Sequence, residues 1–232
     1  MKNKKKVVVL LSSGLDSTVN IFEAIKHNHE VVLALTFNYG QKAAKKEIEQ
    51  SAKIAKYLGV PHKVLDVTWF KDFNKSSLLV EDQKIPTGSD VEIDNMTKSE
   101  ETAKSVWVPN RNGIFLNIAA AYAEALGADS VIPGFNAEEA ATFPDNSIDF
   151  LKAATQSLHY STANHVTVGC YTAHLNKPAI VLLGQGLNVP WELTWPCYFA
   201  GEDWCGECES CKRAKRAFAS AKVDVSNLFV RK

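Results

Sequence analysis

Four cysteines fall close together near the end of the chain, as Cys197-x7-Cys205-x2-Cys208-x2-Cys211. Thiolates at short C-x-x-C spacing converge on one metal ion, and Gly206 eases the turn between the first pair. Four cysteine ligands leave no open coordination position, the arrangement of a structural zinc site. Iron–sulfur chemistry suits similar spacing and is the rival. Cys170 stands apart in an apolar stretch and reads as a core residue. A second chemical signal lies at the other end, where Ser12-Ser13-Gly14-Leu15-Asp16-Ser17 follows an apolar run. Small residues let backbone N–H groups approach a ligand, serine hydroxyls add donors, and a helix start favours an anion. Phosphate is therefore the expected guest, although the loop carries neither the lysine of a Walker pattern nor the glycines of a dinucleotide fingerprint. The competing reading is an ordinary helix start capped by Asp16 or Ser17.

Position favours the phosphate reading, because the elements around the loop alternate. Residues 7–11 are β-branched and apolar, a buried strand, and from Ser17 the residues Val19, Phe22 and Ile25 recur at helical spacing. A strand over 31–37 follows. A helix over 42–58 comes next, with Ala44, Ile48, Ala52, Ala55 and Leu58 on one face and Gly59 to end it. Residues 64–67 make a third strand. The stretch 68–109 is polar and aperiodic, an insertion or lid over a site, or else a surface excursion. A nearly all-apolar helix over 114–126 and strands over 130–135 and 166–170 complete the body, with a last helix from Pro178 to about Gly186. The expected fold class is α/β, an open, mostly parallel, doubly wound sheet over 1–190, with a small four-cysteine module over 191–232 packed on it. In such sheets ligands bind at the carboxyl ends of the strands, beside the first strand–helix turn.

Composition narrows the function classes. Twenty-six Lys and Arg balance 26 Asp and Glu, which argues against a general affinity for nucleic acid. The cluster Lys212-Arg213 and Lys215-Arg216 reads as a solvated helix face. No apolar run is long enough to span a membrane. Met1 to Leu11 superficially resembles a signal peptide, but its apolar part is too short, so a cytoplasmic protein is expected. An odd number of cysteines, five, clustered as they are, fits a metal site in a reducing compartment better than a disulfide framework.

Ser12 to Ser17 resembles the S-G-G-x-D-S signature of the PP-loop N-type ATP pyrophosphatases, with Ser13 in place of the first glycine. If that position needs a positive φ, serine costs about 1–2 kcal/mol there; if not, its hydroxyl is free to meet a phosphate. Further segments are similar to one subfamily, the QueC family of 7-cyano-7-deazaguanine synthases. They are Thr36-Phe37-Asn38-Tyr39-Gly40-Gln41, His62-Lys63-Val64-Leu65-Asp66, Val108-Pro109-Asn110-Arg111-Asn112, with Asn110 for a glycine, and Thr194 to Tyr198. Phe135-Asn136-Ala137-Glu138-Glu139 and Phe143-Pro144-Asp145-Asn146 stand where many members carry C-E-T-D and Y-P-D-C.

The resemblance implies an ATP-dependent ligase in queuosine biosynthesis, turning 7-carboxy-7-deazaguanine and ammonia into the nitrile through adenylated intermediates. It implies that Leu11, Ser12, Ser13, Gly14, Leu15, Asp16, Ser17 and Thr18 cradle ATP, with Asp16, Ser17 and Arg111 catalytic. Phe135, Glu138, Phe143 and Asp145 are the expected base-binding residues. Mg2+ accompanies ATP, with Asp16 a candidate ligand, and one structural Zn2+ sits on Cys197, Cys205, Cys208 and Cys211. A homodimer is implied, with Trp69, Phe70 and Phe73 available to its interface, and direct binding of nucleic acid is not expected. Two other classes compete: a PP-loop enzyme that activates a different carboxylate or a tRNA base, as thiolases and related modifiers do, and a nucleotide-binding protein without turnover.

Overall fold

The computed structural model describes residues 4–230. Met1, Lys2 and Asn3, the start of the signal-like stretch, lie outside them. The chain runs β1 (Lys6–Leu10), α1 (Leu15–Lys26), β2 (Glu30–Asn38), α2 (Ala44–Leu58) and β3 (His62–Asp66). After the insertion, which holds α3 (Met96–Val106), come α4 (Arg111–Ala125), β4 (Ser130–Ile132), the short α5 (Ala137–Ala140) and α6 (Ile148–Ser161). The chain ends through β5 (Thr167–Val168), α7 (Lys177–Gly186) and α8 (Glu209–Ser220).

Among the described residues the five strands are all parallel, in the order β3-β2-β1-β4-β5. Parallel strands buried on both faces need continuous apolar runs, and Val7, Val8 and Val9 of central β1 are fully buried. The order reverses at β1: the chain moves outward through β2 to β3, then crosses back to β4 on the other side. Right-handed crossovers therefore send α1 and α4 to opposite faces of the sheet. The reversal opens a crevice between the carboxyl ends of β1 and β4, and the turn after β1 lies in it. No helix among the described residues is long and apolar enough to cross a membrane.

Strands β4 and β5 are shorter than the sequence predicts. Pro133 has no N–H to continue β4. The insertion is also more ordered than its polarity suggests. Asn95 caps α3, its side chain accepting from the Lys98 N–H at 3.3 Å, and Ser99, Thr102, Ala103 and Val106 form the buried face. With two hydroxyls on that face, no apolar period marks it in sequence. Helix α6 has no counterpart among the sequence expectations. Its start is capped by Ser147, which accepts from the Phe150 N–H, and only Leu151 and Leu158 are fully buried. Phe70 is 0% exposed and stacks on Trp69, so of the three aromatics expected at a dimer interface only Trp69 (47% exposed) and Phe73 (51%) are accessible.

Of the basic cluster of α8 only Lys215 is a solvated residue. Lys212 Nζ donates to the carbonyls of Gly88 and Val91 at 2.6 and 2.7 Å. Arg213 is buried against Glu209, and Arg216 reaches Asp94 and Glu138. These cations fasten the insertion and α5 to the cysteine module. The module in turn shares one apolar core with the sheet, through Trp204, Ala217 and Phe218.

Gly134, just past β4, shows how closely the crevice is built. A Cβ there would lie 2.5 Å from the Ser17 backbone nitrogen and 2.6 Å from its Cα. Gly134→Ala is expected to destabilise the protein by about 1–3 kcal/mol, the range for overpacking a rigid site. Urea unfolding measures it; a variant as stable as the parent would mean that the loop withdraws freely.

Candidate functional site

The turn after β1 is tied together by its own serines. Ser17 Oγ accepts from the Ser12 N–H at 3.2 Å and donates to the Gly14 carbonyl at 3.1 Å. Gly14 caps α1 from an extended conformation, so neither Asp16 nor Ser17 is the N-cap; both lie in the first turn. The first amides of α1 have no carbonyl partner within the helix and form an anion-seeking rim. Ser13 adopts φ 58° and is fully buried. Its hydroxyl donates to the Ser12 carbonyl at 2.5 Å, so it turns inward instead of meeting a ligand. Asn110, which also replaces a glycine of the resembled pattern, has φ 51° and precedes α4. Asparagine is among the side chains that tolerate this region best.

Asp16 is buried in the first turn of α1. Its Oδ2 accepts from Lys177 Nζ at 2.6 Å and from Asn136 Nδ2 at 3.2 Å, while Oδ1 is buried without a partner. Burial lifts the Asp16 carboxyl to about 6, against the pull of Lys177. Lys177 also pairs with Glu139 at 2.8 Å. Burial works against its charge, but the two carboxylates overrule it and hold the ammonium well above its ordinary range. The same lysine outweighs burial at Glu139 and keeps that carboxyl below its usual value.

The crevice widens into a cavity, walled by Tyr39 and Gln41 after β2, Glu47 on α2, Trp107 and Arg111. Arg111 donates to the Tyr39 hydroxyl at 3.3 Å, and among the described residues no carboxylate comes within ion-pair distance of it. Its charge is therefore available to a ligand. Trp107 and Phe143 stack at 6.0 Å, nearly parallel. Asp145 lies beside them in the wall, its Oδ1 accepting from Asn146 at 3.1 Å. Burial raises the Asp145 carboxyl, and Arg111 opposes that.

Of the residues singled out in the sequence, Leu11, Ser12, Gly14, Leu15, Asp16, Ser17, Arg111, Phe135, Phe143 and Asp145 line this one cavity. Ser13 and Thr18 support the loop from behind it. Glu138 does not line it: its carboxylate accepts from the Lys177 backbone N–H at 2.9 Å and from Arg216 at 2.5 Å. The neighbouring Glu139 occupies the wall instead. Lys177, Glu47 and Trp107 were not singled out in the sequence, and Glu139 was named only as the end of the segment from Phe135.

The fourth wall comes from the cysteine module. Trp195, Tyr198, Glu209 and Arg213 face the cavity, and the Trp195 N–H donates to the Ser13 carbonyl at 2.7 Å. The sulfurs of Cys197, Cys205, Cys208 and Cys211 lie within 4.8 Å of one another, with Cys205 and Cys211 3.8 Å apart. Two 2.3 Å zinc–sulfur bonds at a tetrahedral angle set sulfurs about 3.8 Å apart. A cluster that gives each cysteine its own iron spreads them wider. Backbone N–H groups of Phe199, Glu207 and Cys208 donate to these sulfurs, as N–H groups around metal-bound thiolates do. Gly206 supplies the turn with φ 74°. Cys170 lies outside the group, half-buried beyond β5, its thiol on the Phe135 carbonyl.

Comparison with known proteins gives a consistent result. The family model described as "Queuosine biosynthesis protein QueC" matches residues 6–222. A 7-cyano-7-deazaguanine synthase of Bdellovibrio bacteriovorus is 80% identical over 99% of both chains. One of Carboxydothermus hydrogenoformans is 54% identical over 92% of this chain and 98% of its own. Among solved structures, the tRNA thiolase NcsA of Methanococcus maripaludis, with its 4Fe–4S cluster, superposes at a TM-score of 0.51. That alignment covers 95% of this chain and 71% of the thiolase; at 15% identity the likeness is one of fold.

The left-handed Ser13 leads to a prediction. Ser13→Gly relieves a strain of about 1–2 kcal/mol and loses one hydroxyl bond worth about 1 kcal/mol or less. A net rise in Tm of up to about 2–4 °C is expected by calorimetry. A fall in Tm would mean that the hydroxyl bond outweighs the strain.

Proposed function

The chain belongs to the QueC family, and from that premise we propose that it is an ATP-dependent C–N ligase turning 7-carboxy-7-deazaguanine and ammonia into 7-cyano-7-deazaguanine. The observation that carries this reading is a single cavity with two unlike walls: an amide-rimmed helix start beside cations, and an aromatic pair beside a carboxylate. The first suits a triphosphate and the second a planar base with N–H donors.

A carboxylate is a poor electrophile and its oxygen a poor leaving group. In the proposed reaction the substrate carboxylate attacks the α-phosphorus of ATP, and pyrophosphate leaves. Ammonia attacks the acyl carbon and AMP leaves, giving the amide. The amide oxygen is adenylated in turn; loss of AMP and of the two amide protons leaves the nitrile. The protein's part is to position, to neutralise and to exclude water. The amides of Leu15, Asp16 and Ser17 hold the pyrophosphate in a turn shaped by Leu11, Ser12, Ser13, Gly14 and Thr18, Lys177 fixes that turn through Asp16, and Arg111 clamps the transferring phosphate. The buried, unpartnered Asp16 Oδ1 fits a hard cation at the loop, and Asp16 would hold the Mg2+ that screens the phosphates. Trp107 and Phe143 stack on the base, Phe135 closes the floor, and Asp145 accepts from the ring N–H and exocyclic amine. Glu138 holds Lys177 and Arg216 in register behind the wall.

We assign one structural Zn2+ to Cys197, Cys205, Cys208 and Cys211, since the 3.8 Å sulfur pair fits tetrahedral zinc. The compartment we take is the cytoplasm, where ATP is available and thiols stay reduced. The assembly we take is a homodimer joined through Trp69 and Phe73. Direct contact with nucleic acid has no part in the reaction.

Incubation with ATP, magnesium, ammonium and the carboxy-deazaguanine is expected to yield the nitrile by mass spectrometry. Asp16→Ala is expected to lower turnover by at least about 100-fold. Asp145→Asn is expected to weaken base binding by roughly 1.5–3 kcal/mol while ATP binding holds, as calorimetric titration of each ligand would read. No nitrile from the parent, or full activity in Asp16→Ala, sinks the reading.

Elemental analysis is expected to find one zinc per chain in a colourless protein, and chelation to lower Tm, because metal binding at a closed thiolate site is folding free energy. A brown protein carrying iron and sulfide would refute the zinc assignment.

A further inference from the structure

Five carboxylates line the cavity: Asp16, Glu47, Glu139, Asp145 and Glu209. Asp16 and Glu139 share Lys177, and Glu209 holds Arg213 at 2.8 Å. Asp145 stands by the aromatic pair and has its part in reading the base. Glu47 has no such assignment. It lies in the first turn of α2, and its partner is neutral: Gln41 Nε2 donates to Glu47 Oε2 at 2.7 Å. Gln41 is itself locked. Its Oε1 accepts from the Tyr39 N–H at 3.0 Å, and its Nε2 also donates to the Phe37 carbonyl at 3.1 Å. Among the described residues no cation comes within ion-pair distance of Glu47, and nothing donates to its Oε1. Glu47 lines the same cavity as the phosphate loop, and its backbone carbonyl, 3.4 Å from the Ser13 hydroxyl, ties the start of α2 to that loop.

A carboxylate with one oxygen fixed and the other open to the cavity is a receptor for a small cation bearing N–H groups. The proposed reaction supplies one. In neutral water ammonia is almost entirely ammonium, which has no lone pair and cannot attack an acyl carbon. We propose that Glu47, oriented by Gln41, is the ammonium subsite and the proton acceptor of the amidation step. This inference rests on the ligase reading given above.

The step balances without a further reagent. An ammonium N–H docks on Glu47 Oε1; that N–H bond breaks, its proton passes to the carboxylate and its electron pair stays on nitrogen. The pair forms the C–N bond to the acyl carbon, the bond from that carbon to the adenylate oxygen breaks, and AMP leaves with the electrons. A second proton passes from the new amide nitrogen to water. A proton acceptor works best when its pKa lies near the working pH. Burial lifts Glu47 to about 7, while the Gln41 bond and Arg111 pull the other way. Arg111 from α4 and Tyr39 after β2 are the charged and titratable groups that face it.

The test compares two nucleophiles. Hydroxylamine is neutral where ammonium is still protonated, so it needs no deprotonation before attack. Glu47→Gln keeps an acceptor for Gln41 but cannot take a proton. Its kcat/KM for ammonium at pH 7 is expected to fall by about 10²–10⁴-fold. Use of hydroxylamine should fall by less than about tenfold, on the same argument. The ammonium defect should shrink as pH rises and free ammonia accumulates, and titrated Mg–ATP affinity should match the parent. Equal loss with both nucleophiles, a defect independent of pH, weakened Mg–ATP binding, or full ammonium activity at pH 7 would each overturn the assignment. A parent that forms product from neither nucleophile refutes the ligase reading, and the subsite with it.

Discussion

Lys177 is 6% exposed, and its ammonium lies 2.6 Å from Asp16 Oδ2 and 2.8 Å from Glu139 Oε1. Those three residues come from α7, α1 and α5, which contribute three sides of one crevice. A buried ion cluster is not a source of stability in itself, since desolvation offsets much of the attraction. Removing one member is another matter, because a charge is then left buried and alone. The cluster therefore fixes where the elements meet: Asp16 holds the loop against α7, Glu139 brings the turn after β4 under it, and Asn136 bonds Asp16 from the same turn. Gly134 lets that turn approach the Ser17 backbone closely enough for the bonds to form.

Much of this frame was legible in the sequence. The run Val7-Val8-Val9 reads as a buried strand, and the small residues after it as a close turn. The alternation that follows implies a parallel sheet, whose ligand end is then determined. The cysteines were legible because their spacing is local. Lys177 was harder to see, because its partners lie 161 and 38 positions away, a separation no periodicity encodes. Its position still carried a signal. A lysine at the first turn of a helix, beside Pro178, opposes the helix dipole, and such a misplaced cation calls for a buried anion nearby.

Other features stayed hidden for different physical reasons. Glu138 and Glu139 are adjacent and chemically alike, yet on a helix adjacent residues point about 100° apart, so a short α5 sends one to the cavity and the other to Arg213 and Arg216. Helix α3 carries no apolar stripe, because its buried face includes Ser99 and Thr102, whose hydroxyls bond back to the chain. The Lys212-Arg213 and Lys215-Arg216 pattern looks like a wet surface. What turns it inward is the insertion, whose carbonyls at Gly88 and Val91 accept from Lys212.

The cysteine module bears on the chemistry through that same contact. Thr87 and Cys208 form an antiparallel bridge, and the Gly88 N–H donates to the Glu207 carbonyl at 3.2 Å. One side of the module thus grips the insertion that carries Trp107, and the other side bonds Ser13 through Trp195. A metal drawing four sulfurs together would hold both walls at a fixed separation, although it touches neither. The resulting cavity is asymmetric in charge. Lys177 is already engaged by both Asp16 and Glu139, and Arg213 by Glu209, whereas among the described residues Arg111 has only a tyrosine hydroxyl and an amide oxygen as hydrogen-bond partners. An incoming phosphate therefore gains most at Arg111, where it displaces no carboxylate. The neighbouring Lys177 is available only in exchange for an existing ion pair. In the proposed reaction that difference would order the site: Arg111 would attract the phosphate, and the lysine cluster would define where it stops.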